Sequence, residues 1–213
     1  SGITDFGQYL ALEDRLFAQL DELVYAEVPA APENAINRYS RGSLSDPLRW
    51  PVNWNRSFEL GREQPVAGVV LLHGLSDSPY SMRALAQAMH GRGATVLGLR
   101  IPGHGTAPSG LVETRWQDMA AAVRLAVRHM HEVVGDRPVY LVGYSNGGAL
   151  AVEYTLAALE DTSLPGVAGV ILLSPEIGVS RVAALAVWQA RLGHLLGLEK
   201  LAWNVLLPEY DPY

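Results

Sequence analysis

The sequence predicts an α/β fold, a mostly parallel β-sheet with helices on both faces. Three observations carry this. Four runs of strand length, at 66–72, 95–99, 138–142 and 167–173, are continuously apolar rather than alternating, the pattern of parallel strands buried on both faces. Helical segments with capping signals lie between them. A Gly-x-Ser-x-Gly turn joins the third run to the helix that follows it. Parallel strands joined through helices take right-handed crossovers, and this alternation builds a layered sheet.

In chain order, residues 5–27 read as an amphipathic helix. Asp5 and Gln8 form a capping box, Leu10, Phe17, Leu20 and Val24 form an apolar stripe, and Glu13, Asp14, Asp21 and Glu22 lie on other faces. The helix is expected to pack on the domain; its acidic polar face disfavours anionic lipid. Residues 29–51 contain Pro29, Pro32, Gly42, Pro47 and Pro51 and read as an extended linker with room for one edge strand. A strand at 54–60 leads into the main domain. Ser78-Pro79 opens a helix reaching about His90, with proline at the first helical position. Thr114 and Gln117 form a second capping box, opening a helix over 116–134 whose stripe is Met119, Val123, Val127 and Met130. A third helix spans 146–159. The expected organisation is an N-terminal helix and linker at 1–65, the α/β core at 66–177 and the start of an apolar cap at 178–213.

Composition narrows the chemistry. The 213 residues carry 16 Lys plus Arg against 22 Asp plus Glu, so the net charge of −6 and the absence of a basic run exclude nucleic acid as the main partner. Lys200 is the sole lysine, in a segment with no supporting pattern for Schiff-base chemistry. With no cysteine, thiolate nucleophiles, disulfides and Cys-ligated metals are excluded, and either redox compartment is compatible. No apolar run reaches the roughly 18 residues of a membrane helix. The chain begins Ser1-Gly2, consistent with removal of a leader or trimming, so no compartment is assigned. His129 and His131 are two apart on a helix and point to different faces, and Gly91-Arg-Gly93 lacks the third glycine of a dinucleotide fingerprint.

The chemical signal centres on Gly143-Tyr-Ser-Asn-Gly147. It follows a buried strand and opens a helix, which is the context a nucleophile elbow requires. Ser145 is the candidate nucleophile, lifted above the sheet edge at a helix N-terminus whose dipole favours developing negative charge. The competing reading is a structural glycine-rich turn. His73-Gly-Leu-Ser76 directly follows the first core strand, where a loop of this architecture supplies one backbone N–H of an oxyanion hole and the residue after the nucleophile supplies the other. Leu75 and Asn146 are therefore the candidate oxyanion donors; the bland reading of His73-Gly74 is a tight strand exit.

Together with His73-Gly-Leu-Ser-Asp-Ser-Pro-Tyr-Ser-Met82, Arg100-Ile-Pro-Gly-His-Gly105 and Leu172-Leu-Ser-Pro175, the elbow makes the chain resemble the α/β-hydrolase superfamily. The likeness is to the branch of bacterial carboxylesterases, monoacylglycerol lipases and lysophospholipases, and runs from about Val66 to Ile177. It implies the α/β-hydrolase fold, a serine nucleophile, two backbone oxyanion donors and ester hydrolysis through an acyl-enzyme, with neither metal nor cofactor. His104 in the Pro-Gly-His-Gly turn is expected to shape the pocket rather than to catalyse.

In this family the nucleophile is followed by an acid and then a histidine. After Ser145 the only histidine is His194, in an apolar helix-like stretch that reads as structural, and Glu176 is the better placed of the remaining carboxylates. The expectation is that the C-terminal strands of the sheet are missing from this chain. On this reading the acid and histidine lie on a further segment of about 60–80 residues, and residues 178–213 begin the family's lid. The substrate is expected to be a small-molecule ester, and the C-terminal fragment of the same protein is a second expected partner. The alternative is a non-catalytic binding protein of the same fold.

Overall fold

The computed structural model describes residues 2–177. By its contacts the chain divides into a unit of residues 1–175 and a second of 176–213, and every element named below belongs to the first. The cap expected at 178–213, with His194 and Lys200, lies outside the described residues.

Helix α1 is Phe6–Leu20, shorter than the sequence suggests, and a π-helical turn at Asp21–Tyr25 follows it. Asp5 Oδ1 accepts the Gln8 N–H at 2.8 Å, while the Gln8 side chain reaches one residue further back than a capping box requires, to the Thr4 N–H. The expected apolar stripe holds at Phe17, Leu20 and the partly buried Val24 and is corrected at its first position. The buried face carries Phe6, Tyr9, Glu13, Phe17 and Leu20, and Leu10 is exposed. The aromatic side chains of this face each contribute about 2 kcal/mol by burial, which overrides the cost of placing Glu13 among them.

Residues 29–51 are not extended. They form successive tight turns, with 3-10 segments at Pro32–Asn34 and Pro47–Arg49. Buried Asp46 closes this segment by accepting the Gly42 and Leu48 N–H groups. The expected strand at 54–60 contracts to β1, Phe58–Leu60.

The core elements are β2 (Gly68–Leu72), α2 (Arg83–Gly91), β3 (Thr95–Leu99), a short α3 (Gly110–Glu113), α4 (Trp116–Val134), β4 (Val139–Tyr144), α5 (Asn146–Glu160) and β5 (Gly169–Leu173). Ser78-Pro79 opens a 3-10 turn, Pro79–Met82, before α2 begins. The capping box of α4 is shifted by one residue from the expected Thr114 and Gln117: Asp118 Oδ2 accepts the Arg115 N–H, and Thr114 Oγ donates to the Gly110 carbonyl.

The sheet order is β1-β3-β2-β4-β5, with β1 antiparallel to β3 and the other pairs parallel. α4 and α5 cover one face over Val70, Leu72, Leu97, Leu99 and Leu141, and α1 joins the same cluster through Phe6 and Tyr9. On the other face, Met82 of the 3-10 turn and Ala86 of α2 pack against Val69, Leu71, Val96 and Val142. β2, β3 and β4 are buried as expected, but β5 is not: Ile171, Leu172 and Leu173 are 45, 38 and 39 % exposed. β5 is the edge of the described sheet, so one of its sides has no neighbouring strand among the described residues.

Candidate active site

The register brings the strand ends level. Leu72 of β2 pairs with Leu99 of β3 and with Gly143 of β4, and Tyr144 pairs with Leu173 of β5. The segments starting at His73, Arg100, Ser145 and Ser174 therefore all leave from the carboxyl edge of the sheet. β2 connects to β3 on one side, and β3 returns across it to β4 on the other, so the connections diverge between β2 and β4. In open α/β sheets ligands bind at such a switch point, beyond the carboxyl ends of the strands.

Backbone strain collects at the same edge. Among the described residues, the non-glycine residues with positive φ are Ser145 (51°) and Ser174 (43°), directly after β4 and β5, and Ser76 (57°), in the loop after β2. Residues held in this region cost about 1–3 kcal/mol each and persist only where the surroundings over-determine them. At Ser145 the surroundings are specific. Its N–H donates to the Leu173 carbonyl at 3.0 Å, and its own carbonyl accepts from Gly148 and Ala149 at 2.9 and 3.2 Å. A β-carbon on Gly143 would come within 2.6 Å of the Gly148 Cα, and one on Gly147 within 2.6 Å of the His73 carbonyl oxygen. Both flanking positions are thus closed to any side chain, which lets the β4–α5 turn press against the end of β2.

The three residues singled out from sequence fall around this turn. Ser145 stands between β4 and α5. Asn146 opens α5, so its N–H is among the amides that a helix leaves without an intrahelical partner. Leu75 is half exposed in the loop after β2. A β-carbon on the preceding Gly74 would sit 3.1 Å from the Tyr144 ring and 3.5 Å from the Ser145 β-carbon, so that loop lies directly on the elbow.

Beneath the loop, His73 is fully buried. Its Nε2 accepts the Ile101 N–H at 3.1 Å, so the proton of the neutral ring sits on Nδ1, which donates to the Gly74 carbonyl at 2.9 Å. Burial pushes its pKa down to about 3. His104 meets His73 edge-on, with centroids 5.0 Å apart; its Nδ1 bonds the Pro102 carbonyl, and its Nε2 is buried without a hydrogen-bond partner among the described residues. Burial also lowers the His104 pKa. Among the described residues no three His, Asp or Glu side chains converge as a metal site. A cavity of about 350 Å³ lies apart from Ser145, between α1, α4 and the loop after β3, with Tyr9, Leu16, Arg100 and Leu125 in its walls.

The arrangement presents a hydroxyl on a strained turn, at a helix N-terminus, with the backbone of a second loop packed against it. Such a site can hold an acyl carbonyl beside a nucleophile and oxyanion donors. The family model described as Serine aminopeptidase, S33 (Hydrolase_4) matches residues 63–208, well over half of the chain. The chain belongs to this family. The Thermostable monoacylglycerol lipase of Bacillus sp. (strain H-257) is 30% identical over 122 residues, covering 57% of this chain and 46% of that protein. Phospholipase YtpA of Bacillus subtilis (strain 168) is 27% identical over 147 residues, covering 68% of this chain and 51% of that one. A solved chain from work on LipS and LipT, two metagenome-derived lipolytic enzymes, superposes with a TM-score of 0.52 at 29% identity, covering 63% of this chain and 52% of its own. This S33 chain thus spans about half the length of the curated relatives it matches.

A buried ion pair behind these loops is not visible in the sequence reading. Arg100 is 1 % exposed and its Nε donates to Glu13 of α1 at 2.9 Å, with Glu13 also 1 % exposed. One sequence signal was present: Glu13 lies four residues after Tyr9 and four before Phe17, squarely on an aromatic helix stripe.

Proposed function

We propose that the full-length protein is a serine hydrolase that cleaves carboxylic esters, of the monoacylglycerol type, through an acyl-enzyme. Ser145 Oγ attacks the ester carbonyl carbon while a histidine takes its proton. The Leu75 and Asn146 N–H groups hold the resulting oxyanion. Collapse expels the alcohol, which receives that proton, and water then cleaves the acyl-Ser145 ester to release the acid. His73 is spent on the Ile101 N–H and the Gly74 carbonyl, so it does not serve as the base. The base and its carboxylate are assigned to a segment outside the sequence described. The observation that carries the reading is the Ser145 backbone, held at φ 51° between β4 and α5 with the Gly74-Leu75 loop against it. The choice of esters is supported by the lipolytic names of the relatives.

The test is reaction of the full-length protein with an organophosphonate probe, followed by a panel of p-nitrophenyl esters, monoacylglycerols and aminoacyl p-nitroanilides. The expected result is a covalent adduct on Ser145, absent in Ser145→Ala, and ester turnover that falls about 10⁴-fold or more in that variant. An unlabelled wild-type protein would instead leave a non-catalytic binding protein, and turnover confined to the nitroanilides would replace ester cleavage by peptidase chemistry.

A further inference from the structure

Helix α1 precedes the segment that the family model matches, residues 63–208, yet its one buried charge sits beneath the candidate active-site loops. We infer that Glu13 is a positioning residue: through Arg100 and His73 it holds the peptide that presents the Leu75 N–H, making the N-terminal helix a working part of the oxyanion hole. This rests on the serine hydrolase reading above.

The connection runs through hydrogen bonds and the backbone of the turn at 100–104. Both oxygens of Glu13 are used: Oε1 accepts the Ser57 N–H at 2.7 Å, and Oε2 accepts the Ser57 hydroxyl and Arg100 Nε, each at 2.9 Å. Arg100 is the first residue after β3, and every polar part of its backbone is tied to the N-terminal segment. Its N–H donates to Ser57 Oγ at 2.9 Å, and its carbonyl accepts the Tyr9 hydroxyl. Its Nη1 donates to the His104 carbonyl at 2.9 Å, closing the 100–104 turn. That turn aims the Ile101 N–H at His73 Nε2, at 3.1 Å, which places the ring proton on Nδ1 and directs it to the Gly74 carbonyl.

The final link follows from peptide geometry. In a planar trans peptide the C=O and the N–H point in opposite directions, and the described chain has no cis bond. With the Gly74 carbonyl turned down to His73, the Leu75 N–H of the same peptide is turned away from it. An oxyanion donor acts only when it is already aimed, and a displacement of about 1 Å can cost a hundredfold in rate. A latch needed only for stability would do as well with apolar residues, since replacing a buried ion pair by hydrophobic side chains is often neutral or stabilising. A geometric requirement on the turn accounts for the charged pair.

The test uses the full-length protein with Glu13→Gln and, should that variant not fold, the double variant Glu13→Leu/Arg100→Met, which removes both charges together. Phe17→Leu, a packing change on the same buried face of α1, is the control for lost stability alone. Three quantities are read: the rate of organophosphonate labelling at Ser145, kcat and KM separately, and amide hydrogen exchange of the peptide covering residues 73–78. The expected result is labelling and kcat lowered about tenfold or more in the Glu13 variants, KM changed less than about twofold, and faster exchange in 73–78. Phe17→Leu lowers Tm but leaves labelling and exchange at wild-type values. A folded Glu13 or double variant with wild-type labelling and exchange overturns the inference, and so does a Phe17→Leu variant that loses labelling to the same degree. If the wild-type protein takes no label, the hydrolase reading fails, and unchanged exchange in the Glu13 variants would still overturn the coupling by itself.

Discussion

Ser145, the proposed nucleophile, is set apart by its backbone as much as by its hydroxyl. At φ 51° and ψ −117° it occupies a region that glycine enters freely and serine does not. The Gly-x-Ser-x-Gly spacing is legible in the sequence because the two glycines answer to contacts within the same turn. The strain is not legible, because the end of β2 and the Leu173 carbonyl impose it from distant parts of the chain. The strain has a measurable signature. Ser145→Gly relieves it and Ser145→Ala does not, so the glycine variant should be the more stable of the two by about 1 kcal/mol in urea unfolding, net of the extra unfolded-state entropy of glycine. Equal stabilities would mean that the strain at the elbow is no larger than the entropy cost of the glycine, about 0.4–1 kcal/mol. His73 shows the same division at one residue: its place beside the elbow is visible in the motif, but its use of both ring nitrogens depends on Ile101, 28 positions away.

Among the elements, β2 to β5 and the helices α4 and α5 stand close to where hydrophobic patterning puts them, since each pattern is complete within one stretch of chain, whereas β1 keeps only the last three residues of its expected run. Two elements depart from expectation for the same reason. α1 buries its aromatic face with Glu13 in the middle of it, and the partners that make that charge compatible with burial, Arg100 and Ser57, lie outside residues 5–27. β5 has the apolar sequence of a covered strand, yet its cover depends on what lies alongside it rather than on its own residues. α1 is integral to the core through Phe6 and Tyr9, so its cap should be felt in global stability. Asp5→Ala, which removes the acceptor for the Gln8 N–H, should lower unfolding free energy by about 1 kcal/mol, and Asp5→Asn by a few tenths at most; urea unfolding of the two variants distinguishes a working N-cap from a frayed end.

At the scale of the whole molecule, the two buried histidines couple folding to pH. His73 stays neutral in the fold down to about pH 3, and burial lowers the His104 pKa in the same direction. In the unfolded chain both take up a proton near pH 6.5. The unfolded state then binds more protons, so this stability is fully present above about pH 6.5 and is lost as pH falls, by up to about 1.4 kcal/mol per pH unit for His73, with His104 acting in the same direction. Urea midpoints measured from pH 7 to pH 4 should fall, and His73→Asn should show a shallower slope with the His104 contribution remaining. An unchanged slope in that variant would remove His73 from the balance. What the sequence by itself determined is the strand and helix alternation, the elbow at Ser145 and the loop at His73-Gly74. These are written in adjacent residues, because side-chain period and turn chemistry act over a few positions. What only the tertiary structure decided is which face of α1 is buried, the pairing of Glu13 with Arg100 and the use of His73 as a neutral bridge. Glu13 and Arg100 are 87 positions apart, and a charge becomes compatible with burial only when folding has brought its partner to it.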